Sequence, residues 1–372
     1  MDPQRVFCPN LACPARGRVG AGNIGVHVRK TRRFICHLCK QTFSATKGTP
    51  FYRLKAPADD FIKVVTLLAH GCPLQAIVVA FDLDERTVSS WLARAGQQAQ
   101  AVQHHLVEHP QDLGQVQMDE IRVKQQGQIV WMGLALAVTT RLWLGGVVSA
   151  HRDQPMITAL VQKVRACASA LSAGLLFCTD GLRAYVTAIR VVFRERIVSH
   201  RRGRPQLQSW PKLHFAQSIK QYAGKVVTGI HRRVVRGSLE QIAALIQQTQ
   251  GKGSINTAYI ERLNGTFRER LSSLARKTRA LSRRVETLHW GMYLVGAVYN
   301  FCTEHESLRQ RGLIGGHKWL YKTPVMAAAI SDHRWSIKEL LTYHVPPEKW
   351  SPPRRRGRVS EVTKRLIARW CQ

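Results

Sequence analysis

Apolar positions recur along this chain with two periods, and the change between them divides it. From residue 57 to 94 the spacing is three and four. Pro57-Ala-Asp59-Asp60 offers caps for a helix through Phe61, Val64, Val65, Leu67 and Leu68, and two more helical runs, 73–81 and 85–94, flank a break at Asp82-Leu83-Asp84. Residues 97–109 read as a polar helical linker. Beyond Leu113 the period shortens, which predicts strands over 115–121, 131–138 and 142–148, the last two joined by a turn at Thr139-Thr140-Arg141. A helix over 156–167 capped by Asp153, a buried strand over 174–181, a helix over 185–193 and a short strand at Ile197-Val198 complete a mixed α/β layout. Helical spacing returns at 256–274. There Ile260, Leu263, Phe267, Leu271 and Leu274 line one face, and Glu261, Asn264 and Arg268 line a neighbouring polar one. An apolar helix over 288–301, a small helical appendage over 323–341, a basic low-complexity linker at 352–358 and a short amphipathic helix follow.

Charge changes the picture first. Lys and Arg number 56 against 23 acids, a net +33 that points to a polyanionic partner, most simply nucleic acid. No stretch resembles a signal peptide or is apolar enough to span a bilayer, so the expectation is a cytoplasmic protein associated with DNA and no membrane. Four of nine cysteines fall in the first 39 residues. Cys8, Cys13, Cys36 and Cys39 form C-x4-C-x22-C-x2-C, two knuckles with room for a hairpin between them. That is a zinc-ribbon pattern, with residues 25–34 as a ribbon strand and structural Zn2+ supplying stability that so small a module lacks. His27 and His37 lie nearby, but four thiolates already complete the shell.

The helices over 73–94 have the layout of a helix-turn-helix, or of a helical hairpin that only packs. As a DNA reader, the second helix would offer Arg86, Thr87, Ser89, Ser90 and Arg94 to bases or phosphates. The order of strands and helices after Leu113 is the ribonuclease-H-like one, in which the first and fourth strands are neighbours. Asp119 and Asp180, each at a strand end, would then meet, with Glu261 as the third acid. Three carboxylates at one site repel unless divalent metal neutralises them, and oxygen ligands suit Mg2+ or Mn2+. Two such ions can flank a phosphodiester, one activating the attacking hydroxyl and the other stabilising the leaving oxygen.

Met118-Asp119-Glu120, Thr179-Asp180-Gly181-Leu-x-x-Tyr185 and Tyr259-Ile-Glu261-Arg262-x-Asn264, with Arg268 and the run from Leu274 to Ser282 beyond, resemble the DDE transposases of the insertion-sequence-1 family. The ribbon and helix-turn-helix resemble the front half of that family, so the similarity covers most of residues 8–309. It implies a zinc ribbon over 1–50, a DNA-binding module and linker over 55–110, a ribonuclease-H-like catalytic domain over 113–310, and a helical appendage with a basic tail over 311–372. The implied activity is metal-dependent cleavage at transposon ends followed by strand transfer into target DNA. Asp119, Asp180 and Glu261 would be the metal ligands, Arg262 and Arg268 would contact double-stranded DNA, and a homo-oligomer would hold both ends. Glu120 should point to the opposite side of its strand from Asp119, as a supporting residue. The segment between Asp180 and Glu261 is longer than in compact members of the family. It holds a basic insertion at about 200–253, with Arg201, Arg202, Arg204, Arg232, Arg233 and Arg236, either a solvated loop or a DNA-facing surface. Asn300 and His305 either cap and pack or contact DNA. The rival functions are a catalytically silent DNA-binding regulator on the same scaffold and a junction or ribonuclease-H-type nuclease.

Overall fold

The computed structural model of the chain describes residues 2–170, 173–197, 206–276, 278, 280–312, 318–348, 350–352 and 357–371. Two compact units divide it: Met1–Ala58 with Leu341–Gln372, and Asp59–Leu340. The first contains β1 (Ile24–Val28), β2 (Arg33–Cys36) and β3 (Thr42–Ser44) as an antiparallel sheet in that order. The alternation over 25–34 is thus a hairpin and not one strand, because the chain turns at Arg32, which has positive φ. Its core is Val6, Ile24, Phe34 and Phe43 around Cys8, Cys13 and Cys36. The C-terminal helix Glu361–Trp370 buries no residue, and Pro353 to Arg356 of the basic linker lie outside the described residues.

In the second unit α1 (Ala58–Ala69), α2 (Leu74–Phe81) and α3 (Glu85–Leu106) come first. Asp82 stops α2 in the left-handed conformation, and the Asp84 carboxylate accepts the Arg86 N–H at 2.7 Å to start α3. The segment expected as a polar linker is the second half of α3, where Gln98, Ala99, Val102 and Gln103 are buried. Gly96 lies so close to Trp290 that an added Cβ would stand 2.6 Å from the Trp290 Cβ.

A six-stranded mixed sheet follows: β4 (Gln115–Gln125), β5 (Gln128–Ala137), β6 (Trp143–Ser149), then α4 (Gln154–Cys167), β7 (Leu175–Thr179) and α5 (Arg183–Val192). After the small ribbon of β8 (Arg194–Arg196) and β9 (Leu207–Ser209) come β10 (Leu213–Ala223), β11 (Val226–Arg236) and α6 (Leu239–Gln250). The sheet order is β11-β10-β7-β4-β5-β6, with β4, β7 and β10 mutually parallel and the other pairings antiparallel. The fifth strand is therefore β10 and not Ile197-Val198. Ile197 continues the β8 ribbon through its bond to Gln206, and Val198 lies outside the described residues.

Likewise the stretch expected as a basic insertion supplies sheet. Leu213 to Ser218 is a continuous buried run, as a parallel strand covered on both faces should be. Several of its cations tie the chain down: Arg232 bonds the Ile255 carbonyl, Arg236 those of Leu213 and Trp210, and Arg233 the Gln217 side chain. Arg201, Arg202 and Arg204 lie outside the described residues.

Next, α7 (Ala258–Arg270) and α8 (Val285–Ala297) cover the sheet, α8 ending in a π turn at Val298–Cys302 before the hairpin β12 (His305–Arg311) and β13 (Trp319–Lys322). Ile260, Leu263 and Phe267 are buried as their spacing predicts. Asn300 is fully buried and binds both backbone groups of Trp143, at 2.9 and 2.8 Å, and the Gln103 side chain. It packs, completing the edge of β6. Among the described residues no helix is long and apolar enough to cross a membrane.

Candidate functional site

Two clusters of metal-ligating side chains stand out among the described residues. In the first unit the sulfurs of Cys8, Cys13, Cys36 and Cys39 lie within 4.8 Å of one another. The Cys8–Cys39 and Cys13–Cys36 distances are 3.6 and 3.7 Å, too long for disulfides. A tetrahedral ion with bonds of about 2.3 Å puts its sulfurs roughly 3.8 Å apart, so this set fits zinc. Burial pushes the Cys8 and Cys13 thiols up. Burial opposes ionisation of Cys36 too, but the N–H groups of Cys39 and Leu38 and the Asn23 amide, 3.3 Å away, outweigh it and hold that thiol at about 6. The arrangement is compatible with a zinc ribbon.

In the second unit Asp119, Asp180 and Glu261 line one cleft of about 670 Å³, together with Arg152, Lys220, Asn264, Arg268 and Arg276. Parallel pairing of β4 with β7 brings the first two acids together, and it ends at Gln117–Cys178. Past that point β4 runs on through Asp119 and Glu120 unpaired to β7, and Asp180 follows the end of β7. Glu261 is placed by Gln117, two residues before Asp119, whose Oε1 accepts the N–H groups of Tyr259 and Ile260 at 3.0 Å each. One side chain of β4 therefore satisfies two of the free donors at the start of α7 and fixes that helix on the strand. Asn264, one turn on, donates to Asp119 Oδ2 at 2.9 Å.

Carboxylate oxygens of Asp119, Glu120 and Asp180 lie within 4.8 Å of one another. The expectation that Glu120 points away is corrected by this stretch, unpaired to β7. The pleat does give the two residues different partners, Asn264 of α7 for Asp119, and Arg152 with Tyr185 of α5 for Glu120. With no β7 residue beside them, both carboxylates reach round to the same place. Glu120 is buried, with the Tyr185 hydroxyl donating to one oxygen and Arg152 Nε to the other at 2.8 Å. The same guanidinium bonds Asp180 at 2.8 Å and lies over the Trp131 ring. Lys220 of β10 pairs with Glu261 at 2.6 Å, and Thr257 donates to the same oxygen at 2.8 Å.

Crowded acids disfavour ionisation. Burial, then the Glu120 charge, push the Asp119 carboxyl up to about 7 against the pull of the Glu120 N–H, and Asp180 and Glu261 add to the rise. Burial also raises Glu120, opposed by Tyr185 and Arg152. A divalent cation would relieve this repulsion, and the oxygen donors suit magnesium or manganese.

The other expected DNA contacts sit elsewhere. Arg86 and Ser90 are exposed on the first half of α3, Thr87 and Arg94 are half-buried there, and Arg262 is exposed on α7. Only Arg268 of the expected DNA-binding residues lines the cleft. Sequence reasoning missed Arg152, Lys220, Tyr185 as a partner of Glu120, and the part played by Gln117. No family model matches the chain, and comparison with curated proteins finds no match.

Proposed function

We propose that the chain is a DNA transposase of the DDE type, cutting DNA at element ends and joining them to target DNA. The observation that carries this reading is the convergence of Asp119, Asp180 and Glu261 from β4, the end of β7 and α7 on one cleft rimmed by Lys220, Arg268 and Arg276. The sheet order β6-β5-β4-β7-β10, with the last three strands parallel, supports a ribonuclease-H-like catalytic domain. The thiol cluster supports a zinc ribbon, and α2 with α3 a helix-turn-helix, for recognition of the ends.

In this reading Asp119 and Asp180 hold magnesium or manganese with Glu261 beside them. When bound, the ions lower the pKa of an attacking water or 3′-hydroxyl and stabilise the leaving oxygen. The chain's own groups do the rest. Asn264 fixes the rotamer of Asp119, Gln117 sets the distance of α7, and Arg152, anchored by the buried Glu120, orients Asp180. Arg268 and Arg276 neutralise phosphate at the cleft mouth, and Lys220 is positioned to pass from Glu261 to a phosphate oxygen. The test uses supercoiled DNA carrying candidate inverted repeats from the sequence flanking the gene, with Mg2+. Joined products that vanish with Asp180→Ala support the transposase. Nicks without joining point to a nuclease, and binding without cleavage to a silent regulator.

A further inference from the structure

In the acidic cleft Arg152 and Lys220 have carboxylate partners, whereas a group of cations behind it has no ion pair among the described residues. Tyr259, Arg262 and Arg270 lie on the side of α7 turned away from Glu261, Asn264 and Arg268, by their spacing along the helix. Arg141, in the turn between β5 and β6 with φ of 57°, stacks its guanidinium on the Tyr259 ring at 4.1 Å and bonds the Val138 carbonyl. Arg270 bonds the Thr303 hydroxyl at 2.9 Å. Tyr299 is their common neighbour. Its buried hydroxyl feels the charges of Arg141, Arg270 and Arg262, and its ring meets that of His305 at 4.5 Å.

Among the described residues no ion pair joins Arg141, Arg262 or Arg270 to a carboxylate. Glu269 alone among acids acts on Arg270, and it is exposed. His305 Nε2 is buried without a hydrogen-bond partner, and the nearby Arg270 and Arg141 charges add to burial in keeping that ring neutral. Arg141 and Arg270 are half-buried and Arg262 is exposed; gathering guanidinium groups with no paired carboxylate is costly, and a group that compensates them is the physical remedy. Guanidinium forks match the oxygens of carboxylate and phosphate alike, and of the two phosphate belongs to the polyanion that the net charge calls for.

We propose that Arg141, Arg262 and Arg270 form a second anion site behind α7, made for a phosphate-type oxyanion and filled by a backbone phosphodiester of DNA. The source of the anion rests on the DNA reading above; the site itself does not. A strand bound there would grip α7, the helix that carries Glu261, from the side opposite the cleft.

The experiment compares wild type with Arg270→Gln, Arg141→Gln and the exposed Arg262→Gln, each as the zinc-loaded protein in buffer without added Mg2+ or Mn2+. Inorganic phosphate should raise the melting temperature of wild type above that in chloride of equal ionic strength, and the variants should lose that rise. Without phosphate, Arg270→Gln should melt no lower than wild type, whereas a merely structural arginine would melt lower. On a short DNA duplex each variant should bind about tenfold more weakly, with the slope of log affinity against log salt smaller by about one. Equal phosphate responses in all four proteins overturn the site. A phosphate response lost in the variants, with unchanged duplex binding, keeps the site but overturns DNA as its source. Failure of wild type to bind any duplex removes the transposase reading and leaves a free-anion site.

Discussion

The thiol cluster and the carboxylate cleft both gather side chains able to hold metal, yet the two are supported differently. In the thiol cluster the sulfurs face one another, the Asn23 amide and backbone N–H groups, inside a small core. In the cleft Asp180 and Glu261 have cations of the protein on them, Arg152 and Lys220, while Asp119 accepts a neutral amide and keeps its proton up to about 7. A structural site lacks stability until it is filled. Under the proposed function the cleft must hold its acids in place while leaving them exchangeable, and Arg152 on a loop and Lys220 on a strand would do that.

The largest effect that would break this comparison concerns the first cluster. Metal analysis should find one zinc per chain, and Cys36→Ser should abolish it and unfold the first unit, since structural zinc contributes about 10–16 kcal/mol in small modules. Folded protein with no zinc would contradict the contrast. Next comes the buried end of the cleft. Glu120→Ala strands the buried Tyr185 hydroxyl and leaves Arg152 with Asp180 alone, so urea unfolding should show a loss of about 3 kcal/mol. A change below half of that would place Glu120 outside the support of the site.

Titration sharpens the comparison further. The folded Asp119 carboxyl stands near 7 against an ordinary 3.8, so its contribution to stability is complete below 3.8 and is lost as pH rises through 7. That shift corresponds to roughly 4 kcal/mol of metal-free stability. Asp119→Asn should flatten the decline between pH 4 and 8, and an unchanged slope in that variant would assign the decline elsewhere. The smallest effect is at Lys220. Its pair with Glu261 is well exposed, so Lys220→Ala should change stability by about 1 kcal/mol or less while weakening duplex binding. A large destabilisation would make Lys220 a structural residue and not an exchangeable partner.

What could be read in advance follows from how local each signal is. The cysteine spacing and the stripe of Ile260, Leu263 and Phe267 lie within short windows, and the structure places them as those windows imply. Asp180 follows a strand end as its run implies, whereas Asp119 sits in mid-strand because β4 continues through Gln125. Arg152 was not legible, because its role depends on Glu120 reaching round an edge that exists only where β7 stops short of β4. The strand β10 was hidden by its surroundings. Leu213-His-Phe215-Ala-Gln217 is a buried run within a basic stretch, and charge density drew the reading toward a solvated or DNA-facing insertion. Gln117 carried no signal at all, since a glutamine in a strand says nothing of the helix it will cap 142 residues later.

The most direct test of the central claim is strand transfer by purified protein on a pre-cleaved element end in Mg2+, comparing wild type with Asp119→Asn, Asp180→Asn and Glu261→Gln. The expected result is joined product from wild type and a loss of at least about a thousandfold in each variant, with duplex binding retained. Joining by any one of the three variants at the wild-type rate, or none by wild type on its own ends, would contradict it.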